Sequence, residues 1–233
     1  MTTTPDTVIT PAAGTIIVFS DLWCSFAHVA VHRLHETRSR LHLDDIVLFD
    51  HHAFPLELFN QAPSPRPGTD SEVGGIAHLE PEAGWRLWTA PDWSYPTSTI
   101  PALEAVQLVK DQSVQASETL DRALRRAFWR DNRCINNRHV IIDVAERTGR
   151  VDTGVLAAGL DDGRARHRIS DDFTLARAAR VVCSPHLYLP DGSDLANPGI
   201  DVTWNGDYGT GFPLLRGDDP GIYEQILRRA ADA

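Results

Sequence analysis

The first structured block opens with Thr15 to Ser20, a short β-branched and aromatic run that predicts a strand, and Asp21-Leu22-Trp23 then predicts a turn ahead of Cys24. From Ser25 to about Leu41, the apolar residues Phe26, Ala30, Leu34 and Leu41 recur near helical spacing, with polar residues between them. Ile46 to Phe54 reads as a second, buried strand. A strand, helix, strand order over this length predicts two parallel strands joined by a right-handed crossover.

After Pro55 the pattern breaks. Pro63, Pro65, Pro67, Gly68, Gly74 and Gly75 predict a long irregular stretch over the active face, followed by an aromatic group of Trp85, Trp88, Trp93 and Tyr95 that packs a small core or lines a pocket. From Pro101 to about Arg180 the apolar spacing is helical, through Ala102, Val106 and Val109, then Leu120, Leu124 and Phe128, then Val140, Ile141 and Val144. Breaks at 112–117, 131–137, 149–152 and 159–163 divide it into four or five helices. Strand signals return at Leu187–Leu189 and Ile200–Trp204, read as a hairpin across the turn residues Pro190 to Ser193. Asp218 to Ala231 carries Ile222, Ile226 and Leu227 on one face and reads as a closing helix. Strands at both ends with helices between them imply an α/β fold: a discontinuous domain over 15–62 and 181–233, a loop and helical insertion over 63–180, and a disordered lead over 1–14.

Composition narrows the function. The chain has 233 residues, 42% hydrophobic and 23% charged, with a formal net charge of −10. Its basic residues are scattered in sequence, and Lys110 is the one lysine, so no footprint for nucleic acid is expected. No apolar run approaches the ~20 residues that cross a bilayer. With no secretory pattern at the start, a soluble cytoplasmic protein is expected. Cys24, Cys134 and Cys183 are far apart and odd in number, which predicts reduced thiols and no structural metal. A homodimer is left open.

Cys24 stands where a strand ends and a helix begins, among unpaired backbone N–H groups and at the positive end of a helix dipole, which should favour the thiolate. A buried inert cysteine is the competing reading. His28, on the first helical turn, is a candidate acid or base, whereas His32 and His35 read as a solvated face. His51 and His52 point to opposite faces of their strand. Asp161-Asp162 and Asp218-Asp219 read as helix caps, and the glycine-rich segment from Gly206 to Phe212 as a loop.

The stretch Asp21-Leu22-Trp23-Cys24-Ser25-Phe26-Ala27-His28 resembles the Cys-x-x-Cys turn of the DsbA and FrnE-type thioredoxin family, which includes 2-hydroxychromene-2-carboxylate isomerases and kappa-class glutathione transferases. Ala127-Phe128-Trp129 with Ile135, Ser184-Pro185 and Asn197-Pro198-Gly199 extend the resemblance over nearly the whole chain. It implies a thioredoxin-like fold with a helical insertion, and a cis-proline at Ser184-Pro185 whose preceding backbone holds a substrate or thiol cofactor beside Cys24. Trp23, Phe26, Ser184 and Pro185 are then substrate-binding candidates, with Cys24 and His28 catalytic. Cys183, one residue before Ser184, is a substitute second thiol or a core residue.

The second cysteine of the family motif is replaced by Ala27. A dithiol cycle needs a resolving sulfur, so one nucleophile remains. The first expectation is an isomerase in which Cys24 adds reversibly to a conjugated double bond of a small or carrier-bound unsaturated acid or thioester of secondary metabolism. The alternatives are a monothiol oxidoreductase or transferase using a small thiol such as glutathione or mycothiol, and a non-catalytic binding module. No cofactor is required in the first case.

Overall fold

The computed structural model describes residues 7–233. Strand β1 (Thr15–Ser20) runs into helix α1 (Ser25–Arg40), and β2 (Leu48–Ala53) returns beside β1 in parallel register. Cys24 caps the start of α1, and Arg38 and Arg40 complement the negative end of its dipole. From the far end of the chain come β3 (His186–Tyr188) and β4 (Asp194–Ala196), which complete a four-stranded sheet in the order β2-β1-β3-β4 with antiparallel β1–β3 and β3–β4 pairs.

The turn at Pro190 to Ser193 therefore joins Leu187 to the 194–196 segment, not to Ile200–Trp204 as the sequence suggested. Ile200–Asn205 is β5, which pairs with β6 (Phe212–Asp218) in a separate two-stranded sheet, and the glycine-rich loop is the turn of that hairpin. Leu214 and Leu215 in β6 are too few to signal a strand by alternation. Helix α9 (Ile222–Ala231) closes the chain, and its Tyr223, Ile226 and Leu227 pack with Ile16, Val18, Leu34, Phe49 and Leu187.

Between the two halves lie α2 (Leu56–Phe59), α3 (Arg66–Ile76) and five further helices: α4 (Ile100–Val109), α5 (Val114–Trp129), α6 (Arg138–Thr148), α7 (Thr153–Asp162) and α8 (Arg166–Ala178). Nothing in the residue pattern predicts α3, because Pro67, Gly68, Gly74 and Gly75 argue against a helix. It forms against tertiary packing. A Cβ on Gly68 would stand 2.7 Å from the ring of Tyr208, and one on Gly75 would stand 2.7 Å from Pro213, so these glycines let the β5–β6 hairpin lie on the helix.

Two further expectations change. The lead does not hang free over its described part: the Thr7 N–H donates to Ala178 O, Ile9 packs beside Phe54 and Val181, and Gly14 donates to Ala230 O, while residues 1–6 lie outside the described residues. His32 and His35 are buried, not solvated, because Glu80 approaches His32 and the edge of His35 meets Phe49. Asp218 is no cap either. It receives the buried Arg33 guanidinium, while Asp152 caps α7.

Candidate functional site

Cys24 holds an extended backbone at the head of α1, and its Sγ accepts the Ala27 N–H at 3.4 Å. The thiol donates to the main-chain oxygen of Ser184 at 2.8 Å, across a separation of 160 residues. Ser184-Pro185 is cis, and the Ser184 hydroxyl accepts the Asp21 N–H at 2.9 Å. The two loops thus hold each other from both directions. Cys24 is 7% exposed and Ser184 equally so, which places the sulfur beside the proline loop but beneath the surface.

This burial reverses the expected ionisation. Loss of water around the sulfur, and after it the charge of Glu72, pushes the Cys24 thiol up to about 12. The Ser184 side chain, the Ala27 N–H and the Arg125 charge pull the other way and are outweighed. At rest Cys24 is a neutral S–H donor.

Glu72, on α3, is the residue the sequence did not single out. Its carboxyl is buried against the main chain and hydroxyl of Ser25, and burial pushes it up to about 8. Its Oε2 has no hydrogen-bond partner among the described residues. The tip of the β5–β6 hairpin brings Tyr208 to the same place, where it bonds to Ser64 and lies close enough to Glu72 and Cys24 to feel their charges. A lone glutamate in a glycine-rich stretch and a tyrosine in a loop carry no sequence signal.

The turn before Cys24 is fixed from below. Asp21 is fully buried, accepts N–H groups from Trp23 and Leu56, and is pushed by burial up to about 6. Arg125 of α5, also fully buried, donates to Asp21 O and the Ser20 hydroxyl while pairing with Asp121. Trp129 donates to Leu22 O at 3.0 Å. The helical insertion therefore shapes the thiol loop. The i, i+4 spacing of Asp121 and Arg125 beside the Leu120, Leu124, Phe128 stripe is the trace of this in the sequence.

The remaining candidates are placed as follows. His28 is buried between Trp85, at 4.6 Å between ring centroids, and Trp129, at 6.0 Å. Its Nε2 lies 3.3 Å from Gly84 O, and burial followed by the Arg125 charge lowers it to about 3, so the ring is neutral. It makes no hydrogen bond to Cys24 through its ring among the described residues. Trp23 is wholly enclosed in the core of the insertion and stacks on Tyr95, which removes it from contact with a ligand in this conformation. Phe26 packs with Cys24, Ile76 and Ile200 beside the sulfur. Pro185 O accepts from Asn197 N–H and from the half-buried Cys183 thiol. His51 faces Asp121 in the interior, whereas His52 binds Asp172. No group of three or more metal-ligating side chains is gathered among the described residues, and no helix there is long and apolar enough to cross a membrane.

Comparison with known structures gives a consistent fold. The cytosolic disulfide reductase DsbM from Pseudomonas aeruginosa superposes with a TM-score of 0.60 at 16% identity, covering 94% of this chain and 96% of that one. Its structure with GSH gives 0.56 at 14% identity, with the same coverage. A structure described as a probable DsbA oxidoreductase from Streptomyces coelicolor gives 0.62 at 17% identity, covering 93% and 89%. A comparison with curated proteins finds no match. Residues 15–204 match the family model of the DSBA-like thioredoxin domain. The chain belongs to the DSBA-like thioredoxin family, with Cys24 in a Cys-x-x-Ala turn between its first strand and first helix.

Proposed function

We propose that Cys24 is the nucleophile of a thiol-dependent isomerase that adds reversibly to the conjugated double bond of a small unsaturated acid or thioester. The observation that carries this reading is the pairing of a protonated thiol with Glu72, a buried carboxyl that titrates at about 8, in a turn where Ala27 replaces a resolving cysteine. A general acid or base serves best when its pKa lies near the working pH. Ionised Glu72 takes the Cys24 proton, which also removes the negative charge that opposes the thiolate. The sulfur then forms a C–S bond to the β-carbon as the double bond becomes an enolate. Rotation about the new single bond follows, elimination breaks the C–S bond and restores the double bond, and the proton returns to sulfur. His28, neutral and held by Gly84, is assigned a packing role.

A second reading is transfer to and from a small thiol. It is favoured by the disulfide reductase similar in fold that is described with GSH, and by the Ser184 main chain lying against the sulfur. A single set of assays separates the two. The maleyl thioester of N-acetylcysteamine is incubated with the protein and isomer formation followed by proton NMR. Isomerisation without added thiol, lost in Cys24→Ser, is the expected result. Activity that appears only with added glutathione or mycothiol, or that survives in Cys24→Ser, overturns the isomerase.

A further inference from the structure

Away from the thiol, residues of helices α1, α5 and α6 line an open cavity of ≈ 1080 Å³. Its wall along α5 carries Arg122, Arg126 and Arg130 one turn apart, and Arg133, Arg147 and Arg150 line it too. The ion-pair partners of these six guanidinium groups among the described residues are Glu36, Asp131 and Asp143, which leaves an excess of positive charge in a chain of net charge −10. Arg126 and Arg150 have no ion-pair partner among the described residues. Burial and the charges of Arg122 and Arg130 push the Arg126 guanidinium below the ordinary arginine value.

The other end of the cavity has the opposite character. There Asp44, Asp45 and Glu118 line the wall with Arg38, which pairs with Glu118 and Asp44 and donates to Val47 O. Cys24, Glu72, Ser184 and Tyr208 are not among the lining residues, so this is not the thiol site.

Like charges one turn apart on a helix weaken it. Crowding of this kind is relieved by a multiply charged anion, and guanidinium groups match phosphate oxygens in a bidentate fork. The volume is that of a small-molecule site. We infer that the basic end of this cavity binds the diphosphate group of a small molecule, with Arg126 and Arg150 as its principal contacts. The acidic end then faces the uncharged or cationic remainder of the same molecule.

Calorimetric titration of the full chain with inorganic pyrophosphate and, separately, with ADP, at matched ionic strength, tests this. Saturable binding of either, with a Kd below about 1 mM, is expected. Arg126→Ala combined with Arg150→Ala should weaken it at least about tenfold, by removing the two guanidinium groups left for the anion. Arg126→Ala alone should raise the unfolding temperature of the ligand-free protein, since it removes the crowded charge, and this shows that the variant folds. Tighter binding of ADP than of pyrophosphate assigns the acidic end to the nucleoside, and equal binding assigns recognition to the phosphates. An absence of saturable binding, binding unchanged in the double variant, or binding of a polyglutamate peptide in place of both probes overturns the inference.

Discussion

Replacing Glu72 by Gln tests the electrostatics of the site directly. A thiol held at about 12 instead of 9.0 contains, between about pH 8 and 9 where Glu72 is charged, about a thousandth of the thiolate of an ordinary cysteine, equivalent to roughly 4 kcal/mol. Part of this is recovered, because thiolate nucleophilicity rises with pKa at a Brønsted slope of about 0.4–0.5, leaving labelling about thirty- to sixtyfold slow before access is counted. Burial is the larger cause and Glu72 the second, so Glu72→Gln speeds alkylation without making Cys24 an ordinary thiol. The pH dependence is the sharper signature. Below about 8 the Glu72 carboxyl is protonated and exerts no repulsion; above it the charge appears and holds the thiolate back. The logarithm of the iodoacetamide rate against pH should therefore bend downward near 8 in the native protein and stay straight in Glu72→Gln, with Cys134 and Cys183 replaced by Ser in both. Superimposable profiles, or a native profile matching a free thiol, would refute the reasoning.

Two further outcomes follow from the buried ionisable groups. His28 titrates at about 3 in the folded chain and near 6.5 unfolded, so the unfolded state takes up the proton first and stability is lost as pH falls below 6.5. By pH 4 its share is about 3 kcal/mol, and His28→Gln should flatten the urea stability profile there by a comparable amount; an unchanged slope contradicts the burial argument. Arg125→Met strands Asp121 and removes the donors to Asp21 O and Ser20, and should cost about 3–5 kcal/mol by urea unfolding, part of it recovered by adding Asp121→Asn; a loss under about 1 kcal/mol contradicts the role given to the ion pair.

The β1-α1-β2 unit and the five helices of the insertion were legible because their apolar spacing is regular and their breaks are marked. Cys24 beside Ser184-Pro185 was legible only through resemblance, since no local pattern joins residues 160 apart. Glu72 and Tyr208 escaped because α3 is held by the hairpin that lies on it and not by its own propensity. The ionisation of Cys24 was read with the wrong sign for a related reason: the helix terminus is visible in sequence, whereas the burial that outweighs it comes from segments far along the chain. His32 and His35 looked solvated because polar spacing on α1 does not reveal that Glu80 and Phe49 cover that side.

The loop that receives the thiol's proton bond lies past Arg180, and Tyr208 and α9 come later still. During synthesis Cys24 leaves the ribosome with most of the polypeptide still to be made, the segment past Arg180 last of all, and contacts so distant form late. A nascent chain thus displays an unshielded sulfhydryl of ordinary acidity, and completing translation quenches it. Alkylation of Cys24 is therefore expected to be faster on the unfinished polypeptide than on the folded one.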